Sequence, residues 1–282
     1  MVLRIVALLV AVLALAVPAT GAPGGTSVSY LLARQGADGG FAEPAGSSDP
    51  TLSAWALLAL EAAGPQAFGR ERKEIAVEYL LRQPAPGAAA LSLRILALSA
   101  AGARVEALVE RLGSFRRPDG RIGPLVNSTI WSVLALRSAG RPAGTQTLGY
   151  LRRQQGRSGG WSWAPGGAAD SNDTAAAIQA LRAAGVGGTP IARGLTYLRR
   201  LQNRDGGFAL VRGRPSDTQS TAWAIQAFLA AGKRPPRGAY PFLARLRRVD
   251  GSYRYSARYV TTPAWVTAQV LPALARKPFP LR

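Results

Sequence analysis

The chain has 282 residues, with 35 Lys and Arg against 15 Asp and Glu and neither His nor Cys. Without imidazole or thiol there is no zinc finger, no Cys/His or Ser-His-Asp catalytic set and no disulfide, so any chemistry must run on carboxylates, hydroxyls, amides, Arg and aromatic rings. An apolar content of 48% supplies a packed core and excludes a disordered chain.

Residues 1–22 open with one cation, Arg4, run apolar from Ile5 to Val17 and end in small residues, the three-part layout of a secretory signal peptide. Cleavage is expected after Ala19 or Ala22, with an uncleaved anchor as the alternative, so the protein is expected to be secreted or extracytoplasmic. No later stretch is long and apolar enough to span a bilayer.

Beyond the leader the chain repeats. An Ala/Leu-rich segment closes on Ala-Gly at Gly64, Gly102, Gly140, Gly185 and Gly232, and a sixth copy without Gly ends near Ala275. Counted back from the closing Gly, Trp55, Trp131 and Trp223 lie at one position, with Leu93 and Ala176 in the other two copies. Leu58, Leu96, Leu134, Gln179 and Gln226 share another. These segments are strong helix formers, apolar nearly all round, and each Gly reads as a left-handed C-cap; such helices are buried on every side. A more basic, amphipathic helix precedes each, over 28–35, 70–82, 104–116, 144–155, 189–201 and 237–248. The arrangement that covers the apolar set is an all-α closed ring of six helical hairpins over 28–275, apolar helices inside and basic ones outside, followed by a tail over 276–282. An open solenoid is the rival, and it would need polar end helices that the sequence lacks.

The joints carry the most specific signal. Tyr30-Leu31, Gln35, Gly39 and Phe41 fit the pattern aromatic-Leu-x3-Gln-x3-Gly-x-aromatic, as do Tyr150-Leu151, Gln155, Gly159 and Trp161, and Tyr197-Leu198, Gln202, Gly206 and Phe208. The sixth copy has Arg247 at the Gln position, the third is degenerate around Arg117 to Gly120, and the second has lost the motif. Gly allows a turn that a side chain would obstruct, the aromatic packs on a neighbouring hairpin, and Gln can bond exposed helix-end groups. This pattern resembles the QW repeat of the squalene cyclase and protein prenyltransferase superfamily, and the resemblance implies an (α/α)6 toroid.

In the cyclases that the chain resembles, an Asp-x-Asp-Asp motif protonates an isoprenoid, its middle Asp being the acid. Here the match is Asp170-Ser171-Asn172-Asp173, with an amide, which cannot serve as a general acid, in the middle. Asp49, Asp170 and Asp217 recur at one register, and Ser53, Thr129, Thr174 and Thr221 at another, which is the pattern of N-capping. Capping is the expectation for Asp170 and Asp173; if the protein is an enzyme, Asp173 assisted by Asp170 is the remaining acid. Prenyltransferases hold zinc with Asp, Cys and His, and the last two are missing, so neither metal nor cofactor is expected.

Trp55, Trp131, Trp223 and Trp265 read either as an aromatic wall around a central pocket or as packing between helices. Gln179, Gln226 and Gln269 need partners inside apolar helices, either one another or a wet cavity. The expected function is non-catalytic binding of an apolar or amphiphilic small molecule such as an isoprenoid, with Trp55, Trp131, Trp223, Trp265, Asn172, Gln179 and Gln226 as ligand-binding candidates. The alternatives are a reduced cyclase, or an envelope-associated scaffold whose Arg-rich outer face meets an anionic surface. Nucleic acid is not an expected partner, because no recognition motif is present.

Overall fold

The computed structural model describes residues 25–281, so the segment read as a signal peptide lies outside the described residues. The outer helices are α1 (Gly25–Leu32), α4 (Arg70–Arg82), α6 (Glu106–Gly113), α8 (Thr145–Arg153), α10 (Thr189–Arg199) and α12 (Ala239–Leu246). The inner helices are α2 (Pro50–Ala63), α5 (Gly87–Ala100), α7 (Val126–Ser138), α9 (Ser171–Ala183), α11 (Thr218–Ala230) and α13 (Pro263–Leu274). A single turn, α3 (Pro65–Phe68), links the first inner helix to the second outer one, and β1 (Phe208–Ala209) pairs antiparallel with β2 (Ser216–Asp217).

Each inner helix packs on the next in the order α2, α5, α7, α9, α11, α13, and α13 returns to α2, so the ring closes. The fold is an all-α toroid of six hairpins. The two layers follow from side-chain pattern. In α2 every residue from Leu52 to Leu60 is buried, whereas α10 buries Ile191, Gly194, Leu195 and Leu198, a stripe of helical spacing. The Arg pairs Arg152-Arg153 and Arg199-Arg200 are exposed on the outer layer.

Because an outer helix carries the chain back between successive inner ones, all six inner helices begin at the same end of the ring. Gly102, Gly140, Gly185 and Gly232 end four of them at φ between 67° and 81°. Gly64 also has positive φ but departs from the left-handed cap geometry: at φ 116°, ψ 164° it lies outside the αL region, and α3 starts immediately after it. No helix among the described residues is long and apolar enough to cross a membrane.

Candidate functional site

The joint motif is a latch between hairpins. Gln155 Nε2 donates to the Gly159 carbonyl at 2.7 Å and to the Pro190 carbonyl, at the start of the next outer helix, at 2.9 Å. Gln202 does the same with Gly206 (3.0 Å) and Arg237 (2.8 Å), and Gln35 with Gly39 (3.3 Å) and Arg72 (2.8 Å). One carbonyl of each pair belongs to the Gln's own joint and the other to the start of the neighbouring hairpin; neither lies at the orphaned end of the Gln's own helix. Gly206 has φ 86°, and a Cβ there would lie 2.6 Å from the Gly238 carbonyl oxygen, so the turn tolerates no side chain. Phe41, Trp161 and Phe208 are fully buried. In the third copy Arg116 takes over the Gln role, bonding Ala143 O at 3.2 Å and Thr147 Oγ1 at 2.6 Å. In the second, which lost the motif, buried Arg94 of α5 holds the carbonyls of Gln83 (2.5 Å) and Pro84 (2.7 Å).

The hydroxyl register corrects a sequence expectation. Asp49, Asp170 and Asp217 are N-caps, accepting from Leu52, Asp173 and Ser220 N–H at 2.7, 2.8 and 2.7 Å. Ser53, Thr129, Thr174 and Thr221 are not. Their hydroxyls accept the backbone N–H of Phe41, Ile122, Trp161 and Phe208 at 2.7, 3.1, 2.9 and 2.8 Å, pinning each turn to its inner helix. Thr267 does this for Tyr253 at 2.9 Å and so fixes the register of the Gly-less sixth copy: Gln269 stands where Trp55, Trp131 and Trp223 stand, and Pro272 where Gln179 and Gln226 stand.

Those tryptophans close the bore. Trp55, Trp131 and Trp223 come from alternate inner helices, and each ring meets the other two edge to face, with centroids 5.4, 5.7 and 5.6 Å apart and interplanar angles of 81°, 84° and 87°. They point to the ring's centre, yet they pack on one another instead of walling an open pocket. Trp265 lies against Trp55 on the side where the inner helices start, at 6.3 Å, and Trp131 and Trp265 remain partly accessible. From the other side Phe279 of the tail reaches Trp55 at 6.1 Å and Trp223 at 5.9 Å.

At the starting end, Asp173 is not a cap but an inter-helix link. Its Oδ1 accepts from Asn127 Nδ2 of α7 at 2.6 Å. Burial, with the neighbouring Asp170 charge second, pushes its pKa up to about 8, so Asp173 holds a proton at neutral pH. Burial also raises Asp170, against the hydrogen bonds it accepts as a cap. Asn172 is half-buried beside them and accepts from the Ser171 hydroxyl at 3.2 Å. Asn127 escaped the sequence reading, although it holds in α7 the register that Asn172 holds in α9.

Two of the three buried amides find partners, and these are separate. Gln269 Oε1 accepts from Trp223 Nε1 at 3.0 Å, and Gln179 Oε1 accepts from Phe279 N–H at 2.8 Å. Both polar atoms of Gln226 and Nε2 of Gln179 are buried with no protein partner. Among the described residues no cluster of acidic side chains could hold a metal ion.

Solved structures share this architecture. A protein from Actinoplanes superposes with a TM-score of 0.69 at 20% identity, over 90% of this chain and 98% of that one. The type II terpene cyclase MstE from Scytonema gives 0.69 at 19% identity, over 90% of this chain and 96% of the cyclase. The fold is that of the terpenoid cyclase-like alpha-alpha toroids. A glycosidase bound to glucose also matches, with a TM-score of 0.59 at 13% identity over 90% of this chain and 95% of that one, so the toroid by itself does not fix an activity. No family model and no curated protein matches the sequence.

Proposed function

We propose that this protein is an exported, non-catalytic toroid that binds an apolar or amphiphilic small molecule, such as an isoprenoid, at the ring end where the inner helices begin. The three-indole closure of the bore carries this reading. With Trp55, Trp131 and Trp223 in mutual contact, the centre offers no room for a long chain to fold, so a ligand would rest on the indoles at that end of the ring. The partly accessible faces of Trp131 and Trp265 would take the apolar part of the ligand, and the amides of Asn127 and Asn172 its polar end. Native mass spectrometry of protein purified from its own host tests it: a retained small molecule that disappears in Trp131→Ala supports the reading, and ligand-free protein that also ignores added isoprenoids overturns it.

A reduced cyclase is the second reading, and the protonated Asp173 favours it. A carboxyl with a pKa of about 8 is an acid at neutral pH, held in place by Asn127. Incubation with squalene or a prenyl diphosphate separates the two readings. A cyclic product abolished by Asp173→Asn would replace binding with catalysis. Docking of the exposed Arg face on an anionic envelope surface is compatible with either, and salt-sensitive binding to anionic vesicles tests it.

A further inference from the structure

The opposite end of the ring holds a cavity that neither reading uses. There α13 carries Pro272 within it and ends at Leu274, Arg276 turns at φ 57°, and the tail enters the bore as far as Phe279. The bond from Phe279 N–H to Gln179 Oε1 fixes the orientation of that amide, because a backbone N–H can only donate. Gln179 Nε2 is thereby left as a buried donor without a partner. A cavity of about 320 Å³ adjoins it, lined by Gln179, Arg182, Arg276, Lys277, Phe279 and Pro280 among others.

The polar lining is one-sided. Among the described residues that line it there is no carboxylate. Arg182 spends two of its N–H groups on the Ala230 and Val186 carbonyls, which offsets the negative ends of the inner helices. Arg276 stacks on the Tyr240 ring at 5.6 Å, and the Lys277 ammonium has no hydrogen-bond or ion-pair partner among the described residues. Three cations and a buried unpaired amide donor exceed what the helix ends require.

We propose that this cavity binds a phosphomonoester, its oxygens between Lys277, Arg276 and Arg182. A dianion matches three cations that line one cavity better than a single carboxylate does. A volume near the lower end of the roughly 300–1,000 Å³ typical of ligand sites suits a phosphate carrying a short organic group. The same head group could be presented by a soluble ester or by a lipid.

Calorimetric titration of the full chain with inorganic phosphate and with glycerol phosphate at low ionic strength tests the soluble source, and flotation with phosphatidic acid vesicles tests the lipid. One-to-one binding with Kd below about 1 mM is expected, weakened about tenfold in Lys277→Gln and in Arg276→Gln. Arg258→Gln, on the loop before α13 at the far end, should change nothing. Binding to vesicles alone, with the same sensitivity to Lys277→Gln, assigns the phosphate to a lipid and keeps the site. Equal losses in Lys277→Gln and Arg258→Gln would mean diffuse attraction to a basic protein, and they overturn the site, as does silence from every probe.

Discussion

Glu43 Oε1 accepts the backbone N–H of Trp265 at 2.8 Å, and its Oε2 accepts that of Ala264 at 2.9 Å, so a loop of the first hairpin caps the last inner helix across 222 residues of chain. α13 has no side-chain cap of its own, because Thr262 sits at φ 41° without bonding the helix. Glu43 therefore does two tasks, satisfying a helix end and joining the ring's first and last units, with Ser27 Oγ bonding the Gly251 carbonyl at 2.6 Å as the outer clasp. Glu43→Ala should destabilise the fold by about 1–2 kcal/mol in urea denaturation, and Glu43→Gln by less, since the amide oxygen can still accept one bond. An unchanged midpoint in Glu43→Ala would show that packing alone closes the ring.

Two glycines separate conformational strain from steric conflict. Gly232 and Gly206 both have positive φ, at 67° and 86°, but a Cβ at Gly232 meets nothing within 4 Å, whereas at Gly206 it meets the Gly238 backbone. Gly232→Ala should cost about 1 kcal/mol, the usual left-handed penalty. Gly206→Ala should cost clearly more, because α12 must shift away and weaken the Gln202 latch. Equal denaturation midpoints for the two variants would contradict the close approach of those hairpins.

Asp173 makes stability depend on pH in an unusual direction. Its pKa is about 8 in the folded protein against an ordinary 3.8, so between those values the folded state keeps a proton that the unfolded state releases. Its contribution is therefore greatest at acid pH and is lost as pH rises through the window toward 8. Asp170 and Asp217, also raised by burial, act in the same sense. Asp173→Asn should flatten the decline in melting temperature between pH 5 and 8, to about the extent that this group supplies it. A parent profile that rises over that interval would mean that Asp173 is ionised.

What the sequence disclosed was periodic. The spaced Ala-Gly closures, the apolar inner segments and the Gln-Gly-aromatic joints each repeat, so copies support one another and the ring follows. Relations that cross the ring were illegible for the opposite reason. Glu43 meets Trp265, Asn127 meets Asp173 and Phe279 meets Gln179 once each, far apart in sequence, and no repeat announces them. The Ser/Thr register was visible, but its assignment to capping failed because Asp already caps three of those four helices and the hydroxyls bind turns that lie twelve or thirteen residues earlier in the first and fifth copies. Counting from a closing Gly also fails in the sixth copy, which has none, and there Thr267 supplies the alignment.

The indole cluster makes the last prediction. Trp223 is buried, touches two other indoles and donates Nε1 to Gln269, whereas Trp265 is half-buried and contacts the cluster from its edge. Trp223→Ala removes a large side chain at a site where five inner helices hold the surroundings in place, and it strands the Gln269 oxygen. A cost of about 3–5 kcal/mol is expected, with Trp265→Ala well below it. The space left is bounded by Trp55, Trp131 and Phe279 and is apolar, so added indole should fill it and raise the melting temperature of Trp223→Ala while leaving the parent and Trp265→Ala unchanged. If indole stabilises the parent equally, the bore is already open, and the closure on which the binding proposal rests is wrong.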